Sequence, residues 1–392
     1  MTDHRHLRAL LDVTSLINHG QDIGAGRYIL NLIKGMLSLD EDIEYILFGT
    51  CSDSRYLPLA YGLKQEFPHS HMGFRFFKAG QKMLKTRELL RFPPIELLGL
   101  RGDIVHAMDY NIPPTINKNI ILTIHDLAFM RFPELNFEWF IKKYSRMVAK
   151  NTLLSKKILA PSQSTAHDIH KYFNTEKHKI ETVHLAAAPA FRLLPSSEID
   201  CLVPEAFGIK PPFLLSVGTI EPRKDFPTLI GAYNTARQRQ PGFIHRLVIA
   251  GRTGWKSEET YRTREASPYK DDIIFTGRLT DRELVQMYNQ ADVFVYTSLF
   301  EGFGLPPLEA MSCGLPVICT DSSSLTEVVD DAGILVPPGN TRVFAEKILL
   351  VTGSRDLKKK LSQSSLKRAG EFSWKKTAEK TLSVYREAAG LA

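Results

Sequence analysis

The sequence predicts an α/β protein made of two doubly wound, Rossmann-like domains. Three observations lead there. At 392 residues the chain exceeds the size at which one hydrophobic core usually stops growing. Short apolar runs alternate with amphipathic stretches, as buried parallel strands alternate with helices. The alternation lapses in mid-chain and then starts again, so two domains explain both series.

Taken in order, the first series contains the runs Ala9-Leu-Leu-Asp-Val13, Tyr45-Ile-Leu-Phe48, Ile104-Val-His106 and Ile120-Ile-Leu-Thr-Ile124. Domain one is expected over residues 1–190. A proline-rich stretch of little periodicity, Ala186-Ala-Ala-Pro189 through Lys210-Pro-Pro212, places a linker at 191–212. Phe213-Leu-Leu-Ser-Val217, Arg246-Leu-Val-Ile-Ala250, Ile273-Ile-Phe275, Val293-Phe-Val-Tyr296 and Pro316-Val-Ile-Cys319 form the second series, in a domain over 213–371. A final segment, 372–392, carries Trp374, Ala378, Leu382 and Tyr385 at helical spacing. It is expected to pack back toward the first domain, although the pattern itself names no partner.

Composition narrows the class of function. Hydrophobic residues at 43% and charged residues at 24% describe a globular chain without low-complexity tracts. No apolar run approaches the roughly 20 residues needed to span a bilayer, and the polar start lacks the apolar core of a secretion signal, so a cytoplasmic location is expected. Cys51, Cys201, Cys313 and Cys319 form no metal-ligand spacing and read as ordinary buried thiols. The net charge of +7 favours anionic partners, yet no motif organises nucleic-acid binding.

The most informative segment is Glu301-Gly-Phe-Gly-Leu-Pro-Pro-Leu-Glu309. Its glycines and prolines preclude a continuous helix, which puts Glu301 on a loop; a helix starting near Pro306 would place Glu309 one turn in. This lies at the carboxyl edge of a sheet, where α/β folds bind ligands. The free amides of Phe303, Gly304 and Leu305 suit a phosphate, and Glu309 suits neutral hydroxyls such as a ribose diol. Each feature alone has a structural reading, a dipole-complementing glutamate or a shaped turn. Similarly, strand Phe213–Val217 runs into Gly218-Thr-Ile-Glu-Pro-Arg-Lys-Asp225, where Arg223 can fork onto a diphosphate and Lys224 can act as a point charge.

Together with Ala310-Met-Ser-Cys-Gly-Leu-Pro-Val317, the two-glutamate segment resembles the signature of the retaining family 4 glycosyltransferases, enzymes of the GT-B fold whose two domains face a central cleft. The resemblance implies that Arg223 and Lys224 neutralise the leaving diphosphate, with Asp225 standing where asparagine is frequent. It implies that Glu301 orients the donor sugar and that His125, in Thr123-Ile-His-Asp-Leu127, faces the sugar's reacting end. Gly277-Arg278-Leu279 resembles the loop whose backbone reads the nucleobase. Gly24 and Gly26, in Ile23-Gly-Ala-Gly-Arg-Tyr28, resemble the glycine turn lining the cleft opposite the donor. Ser322-Ser-Ser-Leu-Thr-Glu-Val328 matches a family loop in which Thr326 replaces a common proline, and Ser324 also suits a helix N-cap. His106 is a further cleft candidate with an equally available structural reading.

The expected function is therefore metal-independent transfer of a hexose from a nucleotide-diphosphate sugar to a saccharide or lipid-linked saccharide, with no cofactor beyond the donor itself. Resemblance to bacterial polysaccharide-assembly enzymes that carry the Glu-Pro-Arg-Lys string suggests GDP-mannose first. Two basic segments, Lys82–Arg91 and Trp139 through Lys157, read first as helices packing on their own domain; with a lipid-linked acceptor they become a docking face on the inner side of an anionic membrane. The rival readings are a glutamate-pair hydrolase or phosphorylase, a sugar-nucleotide epimerase of the same fold and an inactive sugar-nucleotide-binding subunit.

Overall fold

In the computed structural model the described residues are 6–20, 24–39, 43–51, 57–67 and 71–391. They divide into two units, Met1–Leu185 with Trp374–Ala392, and Ala186–Ser373.

Among the described residues the first unit holds seven parallel strands: β1 Leu7–Asp12, β2 Ile43–Cys51, β3 Met72–Lys78, β4 Ile104–Ala107, β5 Ile120–Thr123, β6 Lys157–Ala160 and β7 Ile180–Thr182, in the order β3-β2-β1-β4-β5-β6-β7. The buried central strands are the apolar runs of the sequence. Its order reverses between β1 and β4, the topological switch point where such sheets bind ligands. Edge strands β3 and β7 have no continuous apolar run: β3 carries an exposed Arg75, and β7 is only Ile-Glu-Thr. Lys157, assigned from the sequence to a basic amphipathic segment, lies instead in β6. There its ammonium donates to the His178 carbonyl at 2.9 Å and pairs with Glu387 at 2.7 Å.

Helix Trp374–Ala389 belongs to this unit, packed against helix Gly24–Leu37. The contact needs a residue without a side chain: a Cβ on Gly35 would lie 2.6 Å from the Trp374 carbonyl oxygen. Tyr385 carries a polar chain inward from the helix. Its hydroxyl lies 2.7 Å from His106 Nδ1, His106 Nε2 lies 2.8 Å from Thr123 Oγ1, and that hydroxyl lies 2.9 Å from Tyr28 Oη. Both nitrogens of His106 are thus satisfied in a fully buried site, where burial holds its pKa down to about 3. His106 is a structural histidine, as its alternative reading proposed.

Six parallel strands make up the second unit: β8 Phe213–Val217, β9 Arg246–Ala250, β10 Ile273–Gly277, β11 Val293–Tyr296, β12 Val317–Thr320 and β13 Ile334–Val336, in the order β10-β9-β8-β11-β12-β13. Its core joins Leu214, Leu247, Val295 and Ile318 of the sheet to helices Phe226–Arg239 and Thr341–Thr352. Residues 191–212, expected as a linker, are packed on this unit. Leu194 N donates to Asn289 Oδ1 and Asp200 N to Gln286 Oε1, each at 2.8 Å. The stretch shows no sequence period because side chains of helix Asp281–Gln290 satisfy its backbone. Of the cysteines, Cys51, Cys313 and Cys319 are buried as expected, whereas Cys201 is exposed.

Candidate active site

Adjacency of β8 and β11 brings two distant loops together at the carboxyl edge of the second sheet. After β8 the chain makes a short turn, Pro222–Lys224, and Asp225 then takes a left-handed conformation (φ 49°) to cap helix Phe226–Arg239 by accepting from Thr228 N. Aspartate and asparagine tolerate that conformation better than most residues, which explains why either fits. After β11, Leu299 N donates to the Arg223 carbonyl at 2.8 Å, and Thr297 Oγ1 lies 2.9 Å from the Lys224 carbonyl oxygen. The two loops form one body.

Glu301 is the centre of that body. Its Oε1 accepts from Lys224 Nζ at 2.5 Å, Tyr296 Oη at 2.8 Å and Ser298 Oγ at 2.6 Å, while its Oε2 meets Arg223 Nη1 at 2.8 Å. Glu221 holds the other side of Arg223, its Oε1 accepting from Nε at 3.1 Å and Nη2 at 2.7 Å. Burial alone would raise the Glu301 pKa, but Arg223 and Lys224 outweigh it and bring the carboxyl down to about 2. Burial and the neighbouring Arg223 lower the Lys224 pKa, against the opposing pull of Glu301 and Glu221. Two cations thus face two carboxylates. Glu301, expected as a sugar contact, has both oxygens committed to the cation pair.

The backbone of Glu301 is fixed as firmly as its side chain. Its amide donates to Ser323 Oγ and its carbonyl accepts from Ser324 Oγ, each at 2.9 Å. Ser324 therefore does not cap the helix Ser324–Val329; the cap position is Ser323, and Ser324 instead ties the glutamate loop to the next one. This is the positive content of the serine string, with Thr326 Oγ1 closing the turn onto the Ser323 carbonyl at 2.7 Å.

Helix Leu305–Ser312 begins one residue before the expected Pro306. Gly304, at its N-cap, has φ 107°, a conformation that favours glycine, and a Cβ there would also approach Leu325 Cδ2 to 2.8 Å. Among the described residues the amides of Gly304 and Leu305 donate no hydrogen bond, consistent with two open donors at a helix start. Glu309 lies buried in the second turn and accepts from Tyr288 Oη at 3.1 Å. Arg278 and Leu279 follow β10 after the left-handed Gly277 (φ 72°); Arg278 is exposed and Leu279 buried.

His125, Gly24 and Gly26 belong to the first unit. His125 follows β5, and its Nε2 lies 3.0 Å from the Met108 carbonyl oxygen. A carbonyl only accepts, so in this contact Nε2 carries the proton. The ring meets Tyr28 edge-on at 5.0 Å. Gly24 opens helix Gly24–Leu37, and nothing lies within 4 Å of where its Cβ would be; Gly26 is buried in the first turn of the same helix. The preceding Ile23 lies outside the described residues.

Sequence reasoning missed Glu221, Tyr288, Tyr296 and Ser298. Tyr296 and Ser298 stand at the end of an apolar strand and just beyond it, where a polar side chain is a signal in itself.

Two family models divide the chain. Residues 23–189 match "Glycosyltransferase Family 4" and residues 203–368 match "Glycosyl transferases group 1". The O-antigen chain mannosyltransferase B of Escherichia coli is 29% identical over 372 residues, 93% of this chain and 96% of that protein. The serotype-specific mannosyltransferase WbdA of Escherichia coli is 31% identical over 230 residues, covering 56% of this chain but only 27% of that longer protein. Among solved structures, Anabaena HepE in complex with UDP and glucose superposes with a TM-score of 0.76 at 15% identity, covering 97% of this chain and all (100%) of that one. Sucrose-phosphate synthase from Thermosynechococcus elongatus gives 0.75 at 16% identity, with 99% and 100% covered. The folds are shared, the family models account for both halves, and the chain belongs to the family 4 glycosyltransferases of the GT-B fold.

Proposed function

We propose that this glycosyltransferase moves a hexose, mannose in the first instance, from a nucleotide-diphosphate donor to a saccharide or lipid-linked saccharide, with retention of configuration and without a metal ion. The observation that carries the reading is the Arg223–Lys224 pair, held in place by Glu221 and Glu301 beside the open amides of Gly304 and Leu305. In glycosyl transfer the bond from the sugar's anomeric carbon to the diphosphate breaks, and negative charge grows on the departing oxygen. Cations and amides already in position stabilise that charge without reorganising during the reaction. Glu309 would take the ribose hydroxyls, the Arg278–Leu279 backbone the base, and His125 the reacting end of the sugar. Mannose and a polysaccharide acceptor are supported by the relatives named O-antigen chain mannosyltransferase B and serotype-specific mannosyltransferase; GDP is the corresponding first choice of nucleotide.

Incubation with radiolabelled GDP-mannose and a mannose-terminated oligosaccharide tests this. Label is expected in a lengthened saccharide and GDP is expected to be released. Epimerised nucleotide sugar without transfer would instead select the epimerase, and a sugar 1-phosphate released from the saccharide when inorganic phosphate is added would select the phosphorylase.

A lipid-linked acceptor also calls for contact with a membrane surface. No described helix is long and apolar enough to cross one. The segment 81–98 nevertheless exposes Met83 (58%), Leu89 (81%), Leu90 (66%), Phe92 (62%) and Leu97 (67%) beside the exposed Lys82. Helix Glu138–Leu154 turns Lys142, Lys143, Arg146 and Lys150 outward with Trp139. Apolar anchors with basic neighbours bind anionic lipid interfaces. The protein is expected to co-sediment with phosphatidylglycerol vesicles and not with phosphatidylcholine alone, and Leu89→Asp with Leu90→Asp is expected to abolish that binding while leaving transfer to a soluble acceptor intact.

A further inference from the structure

The donor-site reading leaves a charge imbalance. Arg223 and Lys224 are matched by Glu221 and Glu301 before any ligand arrives, so the turn offers a diphosphate directed hydrogen bonds but little net positive charge. A diphosphate carries more than one negative charge. Further positive charge is needed close to the same turn.

The loop after β9 supplies it. Ile220 N donates to the Arg252 carbonyl and Gly254 N to the Ile220 carbonyl, each at 2.9 Å, and Ile220 bridges Thr253. The approach is so close that a Cβ on Gly251 would sit 1.8 Å from the Gly218 carbonyl oxygen, and one on Gly254 would sit 2.6 Å from Thr219 Cγ2. On the other side, Gly251 N donates to the Gly277 carbonyl at 2.8 Å, which joins this loop to the turn carrying Arg278 and Leu279. The loop is therefore fixed between the cationic turn after β8 and the turn after β10. It presents Arg252, an exposed side chain with no hydrogen bond or ion pair among the described residues.

We infer that Arg252 is a further diphosphate-binding residue, the uncompensated cation of this site, acting beside Arg223 and Lys224. The inference rests on the donor-site reading and extends it to a loop on which no motif had fallen. A guanidinium is always charged and forks onto phosphate oxygens, which suits the role. Because Arg252 is exposed and unpaired, its removal leaves no buried charge behind, and the fold is expected to survive.

Binding of GDP, and of inorganic pyrophosphate as its competitor, is measured by calorimetry on the full chain, Arg252→Ala, Arg252→Lys and Lys224→Ala, each with its melting temperature. Loss of one charge-assisted contact is expected to weaken both ligands about tenfold in Arg252→Ala, with partial recovery in Arg252→Lys and no change in melting temperature. Unchanged binding in Arg252→Ala overturns the inference, as does weakened GDP with unaffected pyrophosphate, which would make Arg252 a base or ribose contact. If GDP fails to bind the unmodified chain, or binds Lys224→Ala equally well, the donor-site reading falls and takes this inference with it; weakened binding in Lys224→Ala alone removes only Arg252.

Discussion

Glu301→Ala is expected to lower transfer at least ~100-fold and to lower the melting temperature, because one substitution leaves a buried ammonium and half of a guanidinium without their carboxylate. Breaking a buried ion pair from one side typically costs about 3–5 kcal/mol, and in a unit of this size each kcal/mol corresponds to about 2–4 °C, so a shift on the order of 10 °C is expected. Glu301→Gln separates charge from shape. It keeps a hydrogen-bonding oxygen for Ser298 and Tyr296 but loses the charge that holds Lys224 and Arg223. Stability against pH gives an independent check. The folded pKa of Glu301 is depressed to about 2, so its contribution is fully present above the ordinary carboxylate range and is lost as pH falls from about 4.5 toward 2. Acid unfolding of Glu301→Gln should show less pH dependence in that window. Equal melting temperatures and equal turnover in all three proteins would remove Glu301 from the centre of the site.

How far the molecule could be read beforehand depends on where its constraints lie. Strands such as Ile120–Thr123 and Phe213–Val217 are buried on both faces, so their sequence is a continuous apolar run that marks itself. Edge strand β3 is only half covered, and nothing in Met72–Lys78 distinguishes it from an amphipathic loop. The same holds in the site. Arg223-Lys224 and Glu301 were legible as separate motifs, each at the end of a strand. Their mutual neutralisation was not, because Lys224 and Glu301 are 77 positions apart and meet only through the pairing of β8 with β11. The serine string shows the opposite failure. Its local pattern suggested a helix cap, and a tertiary contact with the Glu301 backbone won instead. Local chemistry names candidate groups; sheet order decides which of them touch.

That juxtaposition separates what Lys224 does from what Glu301 does. Lys224→Ala removes the cation proposed to face the departing diphosphate, yet Glu301 keeps Arg223, Tyr296 and Ser298 as partners, so no carboxylate is stranded. Transfer is therefore expected to fall by about 10²–10³, the usual effect of deleting one preorganised charge-stabilising group, with a smaller loss of melting temperature than in Glu301→Ala. Lys224→Arg should recover little. The lysine stem runs against Gly218, where even an added Cβ would come within 3.2 Å of Lys224 Cε, and a planar fork cannot occupy the space of a compact ammonium bonded at once to Tyr296 and Glu301. Turnover numbers with saturating GDP-mannose, set beside melting temperatures of the same preparations, test the separation. Should Lys224→Ala and Lys224→Arg both turn over at the unmodified rate, the cation serves the fold alone, and the charge on the leaving group must be met elsewhere.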